Sequence, residues 1–452
     1  MPYKARSLIV FSVICYPLLP FFTHFLAMSI PSTIPTVVHS ARLRSIDALR
    51  GLSMFLLVCV GPVFAAFMYD SPCKPFFTEG WGTHVARWLS HCSWEGFVLW
   101  DLIMPLFLFT AGLSIPFQFA KYRQTDGNPN YLRIYLRIFR RVILLWILGM
   151  IAQGNLLGLK WDGLRLFSNT LQTIAVGYLF ASILYLHFSV KVQVAAFAVL
   201  MALYWAAMGY VSVDGFGGGS YAPDTNLCEW VDQTLLGRWR DGVHFNEDGT
   251  WAFADWYRYT WILSSLTFIA TALTGVFAGE MIRRNPLSRP EDTGETTAET
   301  GSASSSAKTL SGHQVFVRLL ILGVTMVALG WGWSKIPAGT FGYCPLIKII
   351  WTPSMVLYSS GWSTILLALF YEWIDVLRIK RGSLVLVVLG MNSIAAYMLP
   401  TFVYFPDIAH RNLRGLEQYV GVWYPSVVAL GGVAILWFLL YFLYRKETYL
   451  RV

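Results

Sequence analysis

Nine stretches without a charged residue, each long enough to cross a lipid bilayer as a helix, set the terms on which this chain can fold. They cover residues 52–69, 102–120, 142–159, 166–186, 192–213, 259–279, 349–371, 383–406 and 418–444. A helical span needs about 20 apolar residues and tolerates about 17. A tenth stretch, Val315 to Ser334, is interrupted only by Arg318 near one end, from where a long side chain reaches the interface. Charged residues make up 13% of the chain, against about 25% in a soluble domain, so its apolar surface needs lipid around it. The expectation is an all-α fold, a polytopic transmembrane helix bundle of ten core helices.

Basic residues orient the bundle. With successive loops assigned alternately to the two sides, one side collects 21 Lys and Arg and the other 11. The richer set comprises Arg42 to Arg50, Lys121 to Arg141, Lys191, Arg283 to Arg318, Arg378 to Arg381 and the C-terminus, and the positive-inside rule places it in the cytosol. The opposite, outer side carries the longest loop, 214–258, with Asp214, Asp224, Glu229, Asp232, Asp241, Glu247, Asp248 and Asp255. The net charge of +9 is therefore a topology signal. It does not indicate nucleic acid, because the basic residues sit at helix ends and not on one soluble face.

Two domains follow: an N-terminal hydrophobic segment, 1–40, and a transmembrane domain, 41–452. Leu8 to Met28, behind Lys4 and Arg6, reads as another span or a signal sequence, yet an ordinary exported start would put Arg42 to Arg50 outside. An eleventh helix with its N-terminus outside is the preferred reading, beside an interfacial segment around Pro17 and Pro20 or a start site placed too early. Asn285 to Gly312, rich in Ser, Thr, Glu and Ala, is expected to be a disordered cytosolic loop. Of six cysteines, Cys73, Cys92, Cys228 and Cys344 fall on the outer side, where an oxidising compartment would permit disulfides. No spacing resembles a zinc site, and no metal is expected.

Ionisable groups at or inside the spans are costly in lipid and so point to function. In Ser90 to Phe109, SHCSWEGFVLWDLIMPLFLF, His91 stands at the outer mouth of a span and Asp101 ten residues on, nearly three turns deeper if the stretch is helical. Imidazole ordinarily titrates near neutrality, which suits a general base, and it can also accept an acyl group. The alternative is that His91 and Trp94 are interfacial rings and Asp101 a helix-to-helix contact. In Arg42 to Gly51, RLRSIDALRG, Asp47 and Arg50 share a helix face, either to meet phosphates or as an ion-paired cytosolic anchor. Asn169 with Gln172, and Asn392 with Ser393, are amides and a hydroxyl within spans, where such groups also join helices.

The order RLRSIDALRG, HCSWEGFVLWDLIMPLFLFTAG, LQTIAVGYL, NLCEWVDQTLLG, CPLIKIIWTPSMVL, LGMNSIAAY resembles the heparan-alpha-glucosaminide N-acetyltransferase family and its bacterial relatives. The resemblance runs from about Arg42 to the C-terminus. It implies a transmembrane acyltransferase that takes acetyl-CoA from the cytosol and acetylates a saccharide acceptor, an amino sugar, on the outer face. It implies His91 as the active histidine with Asp101 beside it, and a donor-binding set of Ser45, Asp47, Arg50, Gln172, Asn392 and Ser393, with Gly51 in the same motif. It further implies Trp94, Lys348 and Trp351 as substrate contacts. The chain departs from the family in having Gly61 where lysosomal members carry an asparagine, and Thr173 after Gln172 where arginine is common.

The loop 214–258, with its aromatic rings and acids, is the expected acceptor platform. Two rival readings stand beside this one. An O-acetyltransferase of a cell-envelope polysaccharide would use the same mechanism on a different acceptor atom. A secondary transporter of sugars or lipid-linked intermediates would show repeated halves, broken helices and midplane charges; this sequence has Pro62, Pro105 and Pro353 but no recognisable repeat and few midplane charges. The bacterial relatives imply an inner membrane, a lysosomal membrane being the alternative, and a homo-oligomer is compatible with the sequence.

Overall fold

The computed structural model describes residues 43–123, 130–154, 156, 163–246, 248–255, 257–287 and 310–450. The expected N-terminal segment and most of the 285–312 loop lie outside the described residues. Leu43 onward forms one compact unit. Its long helices are α1 Arg44–Asp70, α2 Ile103–Arg123, α3 Tyr131–Ala152, α4 Thr170–His187 and α5 Val190–Tyr210. A short outer helix, α6 Leu227–Leu236, precedes α7 Ser265–Arg284, α8 Gly312–Ser334 and α9 Pro353–Phe370. The chain ends in α10 Leu384–Met391, α11 Ser393–Phe402, α12 Phe405–Leu413 and α13 Tyr424–Arg445.

Among the described residues eight helical stretches are long and apolar enough to cross a membrane, and the bent pair α10 and α11 makes a ninth. The remaining expected span is displaced. The sequence places it at 142–159, whereas α3 starts at Tyr131, where the Asn130 side chain accepts the Arg133 N–H, and ends before Gly154 at φ 76°. Two of its four arginines are received by α2 and α4, while Arg133 and Arg140 are exposed: Arg137 donates to the Tyr122 hydroxyl, and Arg141 lies over the Tyr178 ring with a hydrogen bond to Gln118. The expected span 383–406 is also different. It breaks by 74° at Asn392, and α12 then folds back along α13, where Gly432 admits the backbone of Phe405 and Pro406.

Without a hydrophobic force between helices in lipid, close approach through small residues holds such bundles together. Gly112 meets the Ala272 backbone, and Gly275 meets Phe109, pressing α2 against α7. These two helices are the centre: 78% of the apolar stretch of each is buried, against 22% in α5 and 28% in α8. Gly51 and Gly390 bring α1 and α10 into backbone contact.

Hydrogen bonds sort the helix ends onto two faces. Arg44 and Ser45 donate backbone N–H groups to Asp375, Tyr185 bonds Glu280, which also holds Arg283 and Arg284, and His313 meets Glu372. These contacts gather the expected cytosolic, basic ends at one face. The other face carries residues 211–264, with two small antiparallel hairpins, Ser212–Val213 with Phe216–Gly217 and Val243–Phe245 with Trp251–Phe253. The buried Arg240–Glu229 pair, 2.6 Å, anchors this loop, with the Arg240 guanidinium 5.4 Å from the Tyr257 ring.

A Cβ at Gly390 would stand 1.8 Å from the Asp47 carbonyl oxygen. Gly390→Val is therefore expected to lower thermal stability in detergent, at a cost of about 1–3 kcal/mol or more. Gly332→Ala, with open space around it, is expected to leave the unfolding temperature unchanged.

Candidate active site

Asp101 sits in a 3₁₀ turn, Leu99–Leu102, that opens α2 on the face opposite the basic helix ends. The stretch before it is not helical. Gly96, at φ 125°, donates its N–H to Leu346 O at 2.8 Å, and Glu95 bridges to Ile347, so 91–98 doubles back along the segment that carries Lys348. The expected three-turn separation of His91 and Asp101 is thereby closed: His91 Nδ1 lies 2.8 Å from Asp101 Oδ1. The carboxylate is 1% exposed, and its Oδ2 accepts the N–H groups of Cys92 and Val98, both at 3.3 Å.

Lys348 completes the group. Its Nζ is 3.1 Å from His91 Nδ1 and 3.3 Å from Asp101 Oδ1, and its side chain is almost fully buried. Burial pushes the Lys348 ammonium below lysine's ordinary range, and Asp101 opposes that shift. A carboxylate beside Nδ1 favours a proton on that nitrogen and leaves the Nε2 lone pair for a substrate.

His91 and Lys348 line a cavity of about 300 Å³. Its apolar wall is Leu57, Ile103, Met104 and Phe107, which carries it well into the bundle, because Leu57 lies midway along α1. Its polar wall is Gln153, Asn169, Asp241 and Tyr397. Asn169 donates to Gln153 Oε1 and to the Tyr397 hydroxyl, and Gln153 donates to Asp241. Its aromatic wall is Tyr257, Tyr259 and Trp261, with Tyr259 and Trp261 stacked at 6.2 Å. Gly61 lies against Trp100, another lining residue: a Cβ there would come within 3.2 Å of the indole.

Asp232 positions the aromatic wall from behind. It is fully buried and accepts the N–H groups of Trp261 and Ile262 at 2.7 and 2.9 Å. Burial pushes its carboxyl up to about 7, against those two hydrogen bonds. Of the other loop acids, Glu229 pairs with Arg240 and Asp224 with Arg258, and Asp214 accepts from Trp230, whereas Asp241 reaches the cavity. Glu247 lies outside the described residues.

The remaining sequence candidates are placed elsewhere. Ser45, Asp47 and Arg50 sit at the basic face, with Asp47 and Arg50 3.9 Å apart. Gln172 spends its amide on its own helix start, accepting from the Ser168 and Asn169 N–H groups and donating to Leu166 O. Trp351 is buried with its N–H on Thr271, and Trp94 donates to Tyr221 O in the loop; neither lines this cavity. Asn392 is fully buried at the break before Ser393, and its amide has no partner among the described residues. The five described cysteines, the four outer ones among them, are free thiols. Among the described residues no cluster of three or more His, Cys, Asp or Glu stands ready for a metal.

Asn169, Gln153, Asp241, Tyr259 and Tyr397 are cavity residues that sequence reasoning did not carry as site candidates. One signal was available: Asn169 and Gln172 have capping-box spacing, which assigns Gln172 to the helix start and leaves part of Asn169 for other contacts.

No family model matches the chain. It is 25% identical over 455 residues to the heparan-alpha-glucosaminide N-acetyltransferase of Homo sapiens and 24% identical over 450 residues to that of Mus musculus. The chain is a distant relative of these acetyltransferases. The alignments cover 91% of the chain and 60% of each heparan-alpha-glucosaminide N-acetyltransferase, so it spans about three fifths of their length.

The Asp232 carboxyl rises from 3.8 to about 7 on folding, so its contribution to stability is complete below about pH 4 and is lost as pH rises through 7. Thermal unfolding scanned against pH is expected to show this loss. Asp232→Asn is expected to flatten that pH dependence from a lower starting stability, since one amide oxygen replaces two acceptors.

Proposed function

We propose that the chain is a membrane acetyltransferase that moves an acetyl group from acetyl-CoA, loaded at the basic face, to a saccharide acceptor at the outer face. The observation that carries this reading is the 2.8 Å His91–Asp101 contact at the wall of a cavity that descends into the bundle. Leu57 in that cavity lies seven residues along α1 from Arg50, about 10 Å of helix. A flexible donor arm held by its phosphates near Arg50 therefore has a short distance to cover. Asn392, buried with an unpaired amide beside the break in α10 and α11, is a polar group for that arm to meet. Irregular backbone of this kind is tolerated in membranes where it is enclosed by protein.

In this mechanism Asp101 orients the His91 imidazole with its proton on Nδ1, and Nε2 takes a proton from the acceptor as its amine or hydroxyl attacks the thioester carbonyl. The carbon–sulfur bond breaks, and Nε2 returns the proton to the leaving thiolate. Attack by Nε2 itself, giving a transient acetyl-imidazole, uses the same geometry. The stacked Tyr259 and Trp261 rings offer a face to a sugar, and Asp241 is the carboxylate placed to attract a cationic amine, which favours an amino sugar over a neutral hydroxyl acceptor. A bacterial inner membrane with the loop outside suits the charge distribution.

Purified protein in detergent, given acetyl-CoA and glucosamine, is expected to release CoA. His91→Ala, with unchanged unfolding temperature, and Asp101→Asn, with a lowered one because buried partners lose their carboxylate, are each expected to lower turnover by about 10²–10⁴-fold. Full activity in His91→Ala, or no thioester cleavage in the intact protein, would remove the reading.

A further inference from the structure

We propose that Lys348 is the proton-holding partner of His91: as an uncharged amine it takes the Nδ1 proton when Nε2 captures one from the acceptor. This rests on the acetyl-transfer reading and assigns Lys348 as a positioning residue acting through the imidazole, a different role from contact with the substrate.

The argument begins with a shortage of acceptors. Asp101 Oδ2 is already engaged by two backbone N–H groups, which leaves Oδ1 for both nitrogens. The separations of 2.8, 3.1 and 3.3 Å make Oδ1, Nδ1 and Nζ the corners of a nearly equilateral triangle. A contact of 3.1 Å between two nitrogens is a hydrogen bond only if one of them has a lone pair to accept with. With Nδ1 protonated toward Asp101, an ammonium at Nζ would find no acceptor on that nitrogen. An amine at Nζ has a lone pair, directed at the Nδ1 proton.

The surroundings shift Lys348 toward that amine. Lys348 is 7% exposed, and the charged or titratable groups facing it are Asp101 and His91 from one segment, Tyr259 with its ring 5.9 Å away, and Asp241 and Tyr257 across the cavity. Burial works against the ammonium, with Asp101 opposing. When Nε2 gains a proton, the Nδ1 proton moves to Nζ, leaving a neutral imidazole and a Lys348–Asp101 ion pair. Two adjacent cations on one carboxylate never form. The reverse shift delivers the proton to the thiolate, so the cycle balances without another base.

Two variants and one label test this. The wild-type kcat/KM for acetyl transfer is expected to rise with pH through two ionisations. Lys348→Met is expected to show one ionisation and a reduced rate. Lys348→Arg holds a permanent cation and is expected to lose at least about 100-fold at every pH. Diethyl pyrocarbonate labelling of residue 91, read by peptide mass spectrometry, follows the imidazole lone pair without turnover. It is expected to show the same two ionisations in wild type and slow labelling in Lys348→Arg. A single ionisation in wild-type labelling, or Lys348→Arg within about threefold of wild-type activity, would overturn the proposal and make Lys348 a fixed counter-ion. Wild-type protein that labels as expected but cleaves no thioester would remove acetyl transfer and leave the proton partnership standing. Because the wild-type label needs no variant, misfolding of either substitution does not shield the idea.

Discussion

A buried carboxylate at the edge of a lipid-embedded bundle must find donors for both oxygens, and Asp101 organises the outer face by doing so. Two backbone N–H groups and an imidazole from 91–98 and an amine from the segment around Lys348 converge on it. The reversal of 91–98, the bridge from Glu95 to Ile347 and the entry of α2 into the bundle are all consequences of satisfying that one group. Removing a buried charge's partner costs far more than the pair contributes, so such a cluster is self-enforcing.

Around it the structure separates two tasks. Small residues draw α2, α7, α1 and α10 into backbone contact and give the bundle rigidity. Irregular elements border the cavity: Leu57 lies in a π-helical turn, Phe55–Val60, and Tyr397 on the short α11 that follows the break at Asn392. Such departures from α geometry are frequent at functional sites. The outer loop adds a third layer, in which Arg240, Glu229 and Asp232 are sealed inside so that Tyr257, Tyr259 and Trp261 stand in fixed positions.

Much of this was legible in the chain. Charge-free length gave the helices and basic ends gave the two faces, because lipid punishes charge and unpaired backbone wherever they fall. The position of α3 was not legible: a run of arginines looks like a loop until Tyr122, Gln118 and Tyr178 are seen to receive it. His91 and Asp101 could be singled out as costly groups, but the sequence spacing implied a helix between them, and only the folded loop brings them to 2.8 Å. Gln172 illustrates the converse, a polar residue in a span whose amide is consumed by its own helix start.

The sequence alone determined that this chain lives in a membrane as an all-α bundle, and it supplied the histidine, the acid and the lysine. Tertiary structure decided that these three meet, that Asp241, Asn169 and Tyr397 share their cavity, and that Trp351 does not. The reason is physical: partition between water and lipid is a local, additive property of residues, whereas a hydrogen-bonded constellation depends on segments far apart in the chain arriving within 3 Å or so of one another.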